Sequence, residues 1–187
     1  MNHAHATLDV SPWIARFASL VAPGARVLDL ACGHGRHARW FASRGAAVLA
    51  VDRDPAALAS LHGVPGVTTR VADLEGAAWP FAGERFDAIV VTNYLHRPLF
   101  APMLQALAGD GVLLYETFAA GNERYGRPSN PAFLLQPGEL LQRLDGLTIV
   151  AFEQGRSTSA GGAAVVQRIA AVGRDFAWPP PLWGSPA

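Results

Sequence analysis

The segment VLDLACGHGRHARW (27–40) runs from an apolar stretch through a glycine turn into an Arg- and His-rich segment. Asp29 lies near the end of the apolar stretch, and Gly33 and Gly35 follow it. Glycine has no Cβ, so a ligand can approach the backbone closely, and the first N–H groups of a following helix are free to donate. These residues predict a ligand-binding turn between a strand and a helix. Gly33, Gly35 and Ala38 also satisfy G-x-G-x-x-A, so a dinucleotide site is an alternative.

Two further acids, Asp52 and Asp73, end apolar segments. Asp52 closes AAVLAVD, 19 residues after Gly33, and Asp73 closes GVTTRVAD, 21 residues after Asp52. An ionised carboxylate only accepts hydrogen bonds, so Asp52 suits ribose hydroxyls and Asp73 suits an exocyclic adenine amine. Together with Asp29 they predict a pocket for an adenosine that carries a cationic group. A pyrophosphate dianion would face Asp29 at close range, although Arg36 would offset part of that repulsion.

VLDLACGHG, AVDRD, VADLE and FDAIVVTNYLHRP resemble, in order and spacing, the motifs of the class I S-adenosylmethionine-dependent methyltransferases. The resemblance covers roughly residues 10–175. The first motif of that family usually has glycine where this chain has Ala31, and alanine is a common variant there. The resemblance implies S-adenosylmethionine as cofactor and S-adenosylhomocysteine as product.

The resemblance also implies a role for each motif. Asp29 and the backbone of 31–35 would hold the methionine part of the cofactor, Asp52 would bind the ribose, and Asp73 with Leu74 would border the adenine. Asn93 and Tyr94 would line the methyl-donor end. In all, the implied cofactor-binding residues are Asp29, Ala31, Cys32, Gly33, Gly35, Asp52, Arg53, Asp73, Leu74, Asn93 and Tyr94.

The methyl acceptor is harder to predict. His96, Tyr125 and Arg127 are the candidate catalytic residues, because they follow the fourth and fifth predicted strands and carry groups that can bind or deprotonate an acceptor. The segment 119–136 has no regular period, which favours a lid over a solvent-exposed insertion. Around it, YETF and YGRPSNPAFLLQPGELL look like small bacterial methyltransferases akin to the tellurite-resistance group, whose chemistry concerns an oxyanion or metalloid.

The alternation of apolar and amphipathic segments predicts an α/β fold, a Rossmann-like doubly wound sheet of seven strands. The sheet is expected to be mostly parallel, with an antiparallel hairpin at one edge around the loop GRSTSAGG. We expect one domain over 1–187, with 1–9 and 176–187 as irregular tails. The predicted strands are 26–31, 46–52, 66–73, 85–95, 110–118, 147–153 and 163–172. The predicted helices are 11–20, 35–44, 54–63, 98–109 and 137–146.

Composition excludes several classes of function. All 15 basic residues are arginine, which excludes a Walker-type lysine and a Schiff-base lysine. The formal net charge is zero, which gives no support for a nucleic-acid or anionic-membrane partner. Cys32 is the single cysteine and is expected to be a small packing residue. His34 and His37 lack further ligands nearby, so no metal site is predicted.

The N-terminal sequence does not resemble a secretory signal, and no apolar run approaches the ~20 residues of a membrane span. We therefore expect a cytoplasmic protein with a small-molecule methyl acceptor, while the oligomeric state is not predicted. Two alternatives remain open from the sequence. One is an NAD-dependent oxidoreductase, and the other is a donor-binding protein without transferase activity.

Overall fold

The computed structural model describes residues 9–159 and 162–180. These residues form a seven-stranded sheet with the strand order β3-β2-β1-β4-β5-β7-β6. The first five strands pair in parallel, and β7 runs antiparallel to β5 and β6, so the predicted doubly wound sheet with an edge hairpin is confirmed. The strands are β1 (Arg26–Leu30), β2 (Ala47–Asp52), β3 (Val67–Val71), β4 (Phe86–Thr92), β5 (Leu107–Phe118), β6 (Thr148–Ser159) and β7 (Gly162–Val172).

Five α-helices cover the sheet: α1 (Pro12–Phe17), α2 (Arg36–Ser43), α3 (Pro55–Ala59), α4 (Phe100–Ala106) and α5 (Glu139–Arg143). Four short 3-10 turns lie at 18–20, 97–99, 122–124 and 131–133. The apolar side chains form one layer on each face of the sheet. Successive side chains of a strand point to opposite faces, so Leu28 enters one layer while Val27 and Asp29 face the layer that contains Trp13.

The predicted start of the first helix is confirmed. Ser11 caps α1 by accepting a hydrogen bond from the Trp13 amide, at 3.2 Å, and Pro12 follows at the first helical position. The Ser11 hydroxyl also donates to Glu116 Oε1, at 2.8 Å, and the Ser11 amide donates to His37 Nε2, at 3.2 Å. These bonds tie the N-terminal end of α1 to α2 and to the end of β5.

Several predicted boundaries are wrong. The strand predicted over 85–95 ends at Thr92, because Asn93 has a left-handed backbone, and the helix predicted over 137–146 spans only Glu139–Arg143.

Three others have identifiable causes. The helix predicted over 98–109 ends at Ala106, because residues 107–109 join β5. Backbone pairing there is close: the amide of Asp175 donates to the Gly109 carbonyl at 2.9 Å, and that of Gly173 to Gly111 at 2.8 Å. Sheet pairing therefore overrides the helical pattern.

The ends of α3 and of β6 also differ from the prediction, each for its own reason. α3 ends at Ala59 rather than near residue 63, because its last turns tighten into local bonds such as Leu61 N to Leu58 O, at 2.9 Å. Gly155 and the residues up to 159 were expected in a loop, yet they extend β6 through continuous pairing with β7, in which Gly155 lies opposite Val166.

The predicted tails lie mainly outside the described residues, which exclude 1–8 and 181–187. Asp9 and residues 176–180 belong to no helix or strand. Within the described part of the chain, every helix is too short or too polar to span a membrane.

Candidate active site

The turn after β1 has a left-handed backbone at Ala31 (φ 52°), Gly33 (φ 55°) and Gly35 (φ 71°). Its position is fixed by the Cys32 amide, which donates to the Val51 carbonyl at 2.9 Å. A Cβ added to Gly33 would meet no heavy atom within 4 Å, so this part of the turn is open. Gly35 is buried instead, because a Cβ there would meet the Leu61 side chain, so the accessible backbone that the sequence predicts is found at Gly33.

Asp52 holds the turn from the end of β2. Its Oδ2 accepts from the Gly33 amide at 2.7 Å and its Oδ1 accepts from the Asp54 amide at 3.0 Å. Each carboxylate oxygen keeps a further lone pair for a ligand. Asp52 therefore both positions the glycine turn and can accept from hydroxyl groups.

Asp73 lies just beyond β3. Its Oδ1 accepts from the Glu75 amide at 3.0 Å. Backbone hydrogen bonds from Glu75 and then Gly76, helped by the charge of Arg53, lower the pKa of Asp73. Its carboxylate is therefore ionised at neutral pH and acts as an acceptor.

These side chains surround an open cleft of about 250 Å³ at the carboxyl ends of the parallel strands. Most of the predicted cofactor-binding residues line it: Ala31, Asp52, Arg53, Asp73, Leu74, Asn93 and Tyr94. Ala72 and Glu75 also line the cleft, although the sequence analysis did not select them. Their positions directly beside Asp73 and Leu74 were the available signal. Asp29, Cys32, Gly33 and Gly35 are absent from its lining and lie in the turn and the strand behind it.

Asp29 is 1% exposed, and neither of its carboxylate oxygens has a hydrogen-bond partner within 3.5 Å among the described residues. Burial raises its pKa to about 7, while the backbone amide of Ala38, which lies close by, and then the charge of Arg36 oppose that rise. A buried polar atom without a partner is uncommon and costs free energy. The orphaned carboxylate beneath an open glycine turn fits a cation seated on that turn.

Cys32 and His37 flank this carboxylate. Burial, followed by the charges of Asp29 and Asp52, raises the pKa of the Cys32 thiol, so it stays protonated and has no nucleophilic character. Burial, helped by Arg36, lowers the pKa of His37 to about 3, so its ring is neutral. Its Nδ1 lies 3.3 Å from the hydroxyl oxygen of Thr92. Nothing in the sequence pattern distinguished His37 as a buried hydrogen-bonding residue.

A second cavity of about 200 Å³ adjoins the cleft and shares Glu75, Asn93 and Tyr94 with it. We call it the inner chamber. Its remaining lining comes from the ends of β4 and β5 and from the segment 119–136: Leu95, Thr117, Phe118, Pro128 and Phe133.

Asn93 and Tyr94 form the wall between the two cavities. Asn93 has a left-handed backbone (φ 55°), which ends β4 and turns the chain toward the cleft. The Tyr94 hydroxyl is buried, and its nearest carboxylate is that of Glu75. Burial and the neighbouring Glu75 carboxylate raise its pKa. The Tyr94 carbonyl accepts from the Tyr115 hydroxyl at 2.8 Å, which fixes the backbone of this wall.

The segment 119–136 is anchored at both ends. The Ala120 amide donates to the Leu135 carbonyl at 2.9 Å, and the Leu135 amide donates to Phe118 at 3.0 Å. Buried Asn122 accepts from the Val165 amide at 3.0 Å through its side chain. The segment is thus an ordered loop that covers the inner chamber with Pro128 and Phe133.

Arg97 fastens this loop to the connection between β4 and α4. Its guanidinium donates to both carboxylate oxygens of Glu139 and to the carbonyls of Ala132 and Leu134. Burial alone would raise the pKa of Glu139, but hydrogen bonds from Arg97, from the Gln136 amide and from an adjacent arginine lower it to about 2.

The structure does not bring the three predicted catalytic residues together. His96 lines a narrow space beside Tyr94 and Tyr115, separate from the lining of the cleft and of the inner chamber. Tyr125 is 45% exposed and Arg127 is exposed at the tip of the loop. Neither lines either cavity. Their catalytic roles remain predictions.

Residues 27–111 match the sequence profile of a family described as a methyltransferase domain. The matched residues make up less than half of the 187-residue chain. Among solved structures, TehB from Haemophilus influenzae has a TM-score of 0.74 at 20% identity, covering 88% of this chain and 63% of that protein. A TehB-like S-adenosylmethionine-dependent methyltransferase from Corynebacterium glutamicum has a TM-score of 0.65 at 21% identity, covering 89% of each chain. These structural likenesses confirm the predicted fold, and the profile match over 27–111 agrees with the predicted methyltransferase family.

An uncharacterised methyltransferase of Synechocystis is 33% identical over 92 residues, which are 48% of this chain and 42% of that protein. The matched part spans 42% of the length of that protein and 33% of the length of other curated relatives. It is thus less than half the length of each. Activity and acceptor must therefore be argued from this chain's own site.

Proposed function

We propose that the protein catalyses S-adenosylmethionine-dependent methyl transfer to a small-molecule acceptor. The observation that carries the proposal is the orphaned, buried Asp29 carboxylate beneath an open glycine turn. An ionised carboxylate in a low-dielectric setting attracts a cation strongly, and a methionine-derived sulfonium with its ammonium supplies that charge. The adjoining cleft has the size and the acceptor groups for the adenosine part.

The chain's residues divide the binding task. The backbone of 31–35 would seat the methionine part within the field of Asp29. Asp52 would accept from the ribose hydroxyls with the lone pairs that Gly33 and Asp54 leave free. Asp73 would accept from the adenine amine. The bound cofactor would supply a methyl group on a positively charged sulfur, and the protein's contribution would be to align an acceptor with it.

The same geometry disfavours the NAD alternative. A pyrophosphate on the glycine turn would place two negative charges beside Asp29, and ionisation of Asp29 near neutral pH would oppose binding. Arg36, in the same sequence motif, could offset part of this negative charge. Its guanidinium donates to the Asp9 carbonyl at 3.2 Å, which turns it toward the N-terminal segment.

Calorimetric titration with S-adenosylmethionine, S-adenosylhomocysteine and NAD⁺ tests the proposal. We expect binding of the first two and none of NAD⁺, in protein shown by mass spectrometry to be free of bound ligand. Binding of NAD⁺ alone would overturn it. Release of S-adenosylhomocysteine in the presence of small acceptors then separates a transferase from a donor-binding protein.

A further inference from the structure

We propose that the inner chamber binds a small amine and that the Glu75 carboxylate holds its ammonium group. This inference rests on the proposed function and names the acceptor class. Glu75 lines both the donor cleft and the inner chamber, so a group bound to it lies at the junction of the two.

The charge of the chamber argues for a cationic or neutral acceptor. Glu75 is the only charged residue among the described residues that line it. Arg97, which fastens the loop, is already committed to Glu139 and to two backbone carbonyls. Arg53 lies near Tyr94 but lines the cleft and not the chamber. Arg127 is exposed and absent from the lining. An oxyanion or carboxylate acceptor would therefore meet repulsion from Glu75 with no lining cation to offset it.

The remaining walls select an apolar body of limited size. Leu95, Phe118, Pro128 and Phe133 supply apolar surface. The chamber volume of about 200 Å³ is below the roughly 300 Å³ at which pockets for drug-sized ligands begin. The acceptor is therefore a small molecule with an apolar portion and one amino group.

The polar groups of the chamber are placed to orient a nitrogen. The Glu75 backbone is fixed by its amide, which donates to Asp73. Next to its carboxylate lies the buried Tyr94 hydroxyl, close enough for a hydrogen bond to Glu75 to contribute to the raised pKa of Tyr94. An ammonium has several N–H donors, so it can contact the carboxylate and the hydroxyl oxygen together.

The chemical step balances without a further reactant. The ammonium gives one proton to Glu75, from which it passes to solvent, and the nitrogen recovers its lone pair. The nitrogen lone pair forms the N–CH₃ bond as the S–CH₃ bond breaks. The two electrons of the broken S–CH₃ bond remain on sulfur. The sulfonium becomes a neutral thioether and the amine becomes a methylated ammonium. Charge and atoms are conserved.

The test uses three ligands with one apolar body: benzylamine, benzyl alcohol and benzoate, with tellurite as a fourth, oxyanionic probe. Each is titrated into the full chain saturated with S-adenosylhomocysteine, and each is also assayed for methyl transfer. We expect benzylamine to bind most tightly and to be methylated, with a rate that rises with pH as its neutral fraction grows. Tighter binding of benzoate or tellurite, or no binding of benzylamine while S-adenosylhomocysteine is bound, would overturn the amine inference.

Glu75→Gln and Glu123→Gln form a matched pair, because each removes one carboxylate and Glu123 lines neither cavity. We expect Glu75→Gln to weaken benzylamine binding ~10- to 100-fold, the range for losing a hydrogen bond to a charged group. Glu123→Gln should leave it unchanged. Equal benzylamine affinity in the two variants would contradict the assignment. Failure of the unmodified protein to bind S-adenosylhomocysteine would instead count against the proposed function, so the two failures are distinct.

Discussion

Arg97 and Glu139 form a two-point ion pair, with Nε 2.8 Å from Oε1 and Nη2 2.9 Å from Oε2. The same guanidinium donates to the Ala132 carbonyl at 2.7 Å and to the Leu134 carbonyl at 2.9 Å. One side chain thus joins the loop that covers the inner chamber to the connection that follows the Asn93–Tyr94 wall. The planar fork of arginine suits this geometry, and lysine cannot reproduce it.

Arg97→Lys should loosen the loop while keeping the charge. We expect a loss of about 1–3 kcal/mol in the free energy of unfolding, since hydrogen bonds to a charged group are removed. Cleavage within 119–136 by a protease should become faster, which is measured by mass spectrometry of the fragments. Arg124→Lys is the control, because Arg124 is an exposed arginine of the same loop. Equal cleavage rates for the two variants would show that Arg97 does not hold the loop.

The Arg97–Glu139 ion pair also predicts how the stability of the loop depends on pH. The pKa of Glu139 is lowered to about 2, below its ordinary value of 4.5. Its stabilising contribution is therefore complete above pH 4.5 and is lost as the pH falls from there through 2. Protease cleavage of 119–136 in the unmodified protein should stay constant from neutral pH to about pH 5. A rise already between pH 7 and pH 5 would contradict this assignment.

The raised pKa of Asp29 predicts the opposite pH dependence of stability. Its pKa rises from 3.8 in the unfolded chain to about 7 in the fold, so the folded state keeps a proton that the unfolded state has lost. The contribution of Asp29 to the free energy of unfolding therefore decreases as the pH rises from about 4 to about 7. Asp29→Asn cannot ionise and should be more stable than the unmodified protein at pH 8. Denaturant unfolding of both proteins at pH 5 and pH 8 checks the prediction, and an identical pH dependence would exclude it.

The buried carboxylate should also make donor binding pH-dependent. A cation on the glycine turn is attracted only by the ionised form, so S-adenosylmethionine affinity should fall as the pH drops below 7. Asp29→Asn should bind the donor more weakly at pH 8 and lose most of this pH dependence. Calorimetric titration at several pH values measures both effects. A variant that keeps the full pH dependence would place the titrating group elsewhere.

The positions and the parallel direction of the first five strands follow from local sequence, because buried strands read as short apolar runs separated by helical segments. Their order in the sheet was not predicted. Asp52 and Asp73 could be selected this way, since strand ends meet at one edge of the sheet. The hairpin of the last two strands was also predictable, because no helical segment separates them. These features depend on periodicity and on neighbours in the chain.

Features that depend on distant contacts were not predictable. His96 follows β4 in the sequence as a catalytic residue would, yet its side chain lies in a separate space near Tyr115. Glu75 and Pro128 are far apart in the chain and meet only in the inner chamber. Leu107 belongs to an amphipathic helical pattern, but pairing of β5 decides its conformation. Tertiary packing determines such positions, and contacts between residues that are distant in the chain cannot be predicted from the local pattern of one sequence.

Asp52→Ala should weaken S-adenosylmethionine binding by ~10- to 100-fold, because it removes a charged acceptor of hydrogen bonds. Two effects contribute, since the Gly33 and Asp54 amides also lose their acceptor. Asp54→Ala is a useful comparison, because the Asp54 side chain caps α3 through the Ala56 amide and lies outside the cleft lining. It should lower stability without a comparable loss of affinity. Donor affinity that is unchanged in a folded Asp52→Ala variant would remove Asp52 from the site.

Ala31→Gly should stabilise the free protein. Ala31 has φ 52°, a left-handed conformation that costs a non-glycine residue roughly 1–2 kcal/mol. Glycine removes that cost, but it also gives the unfolded chain more freedom, which opposes the gain by about 0.4–1 kcal/mol. The expected net gain lies between zero and about 1.6 kcal/mol, or a rise in melting temperature of up to ~6 °C for a chain of this size. Ala47→Gly, at the exposed start of β2, has no such strain to relieve and should be destabilising. Calorimetric melting of the two variants therefore gives shifts of opposite sign, and a fall for both would mean that the turn after β1 imposes no strain on Ala31.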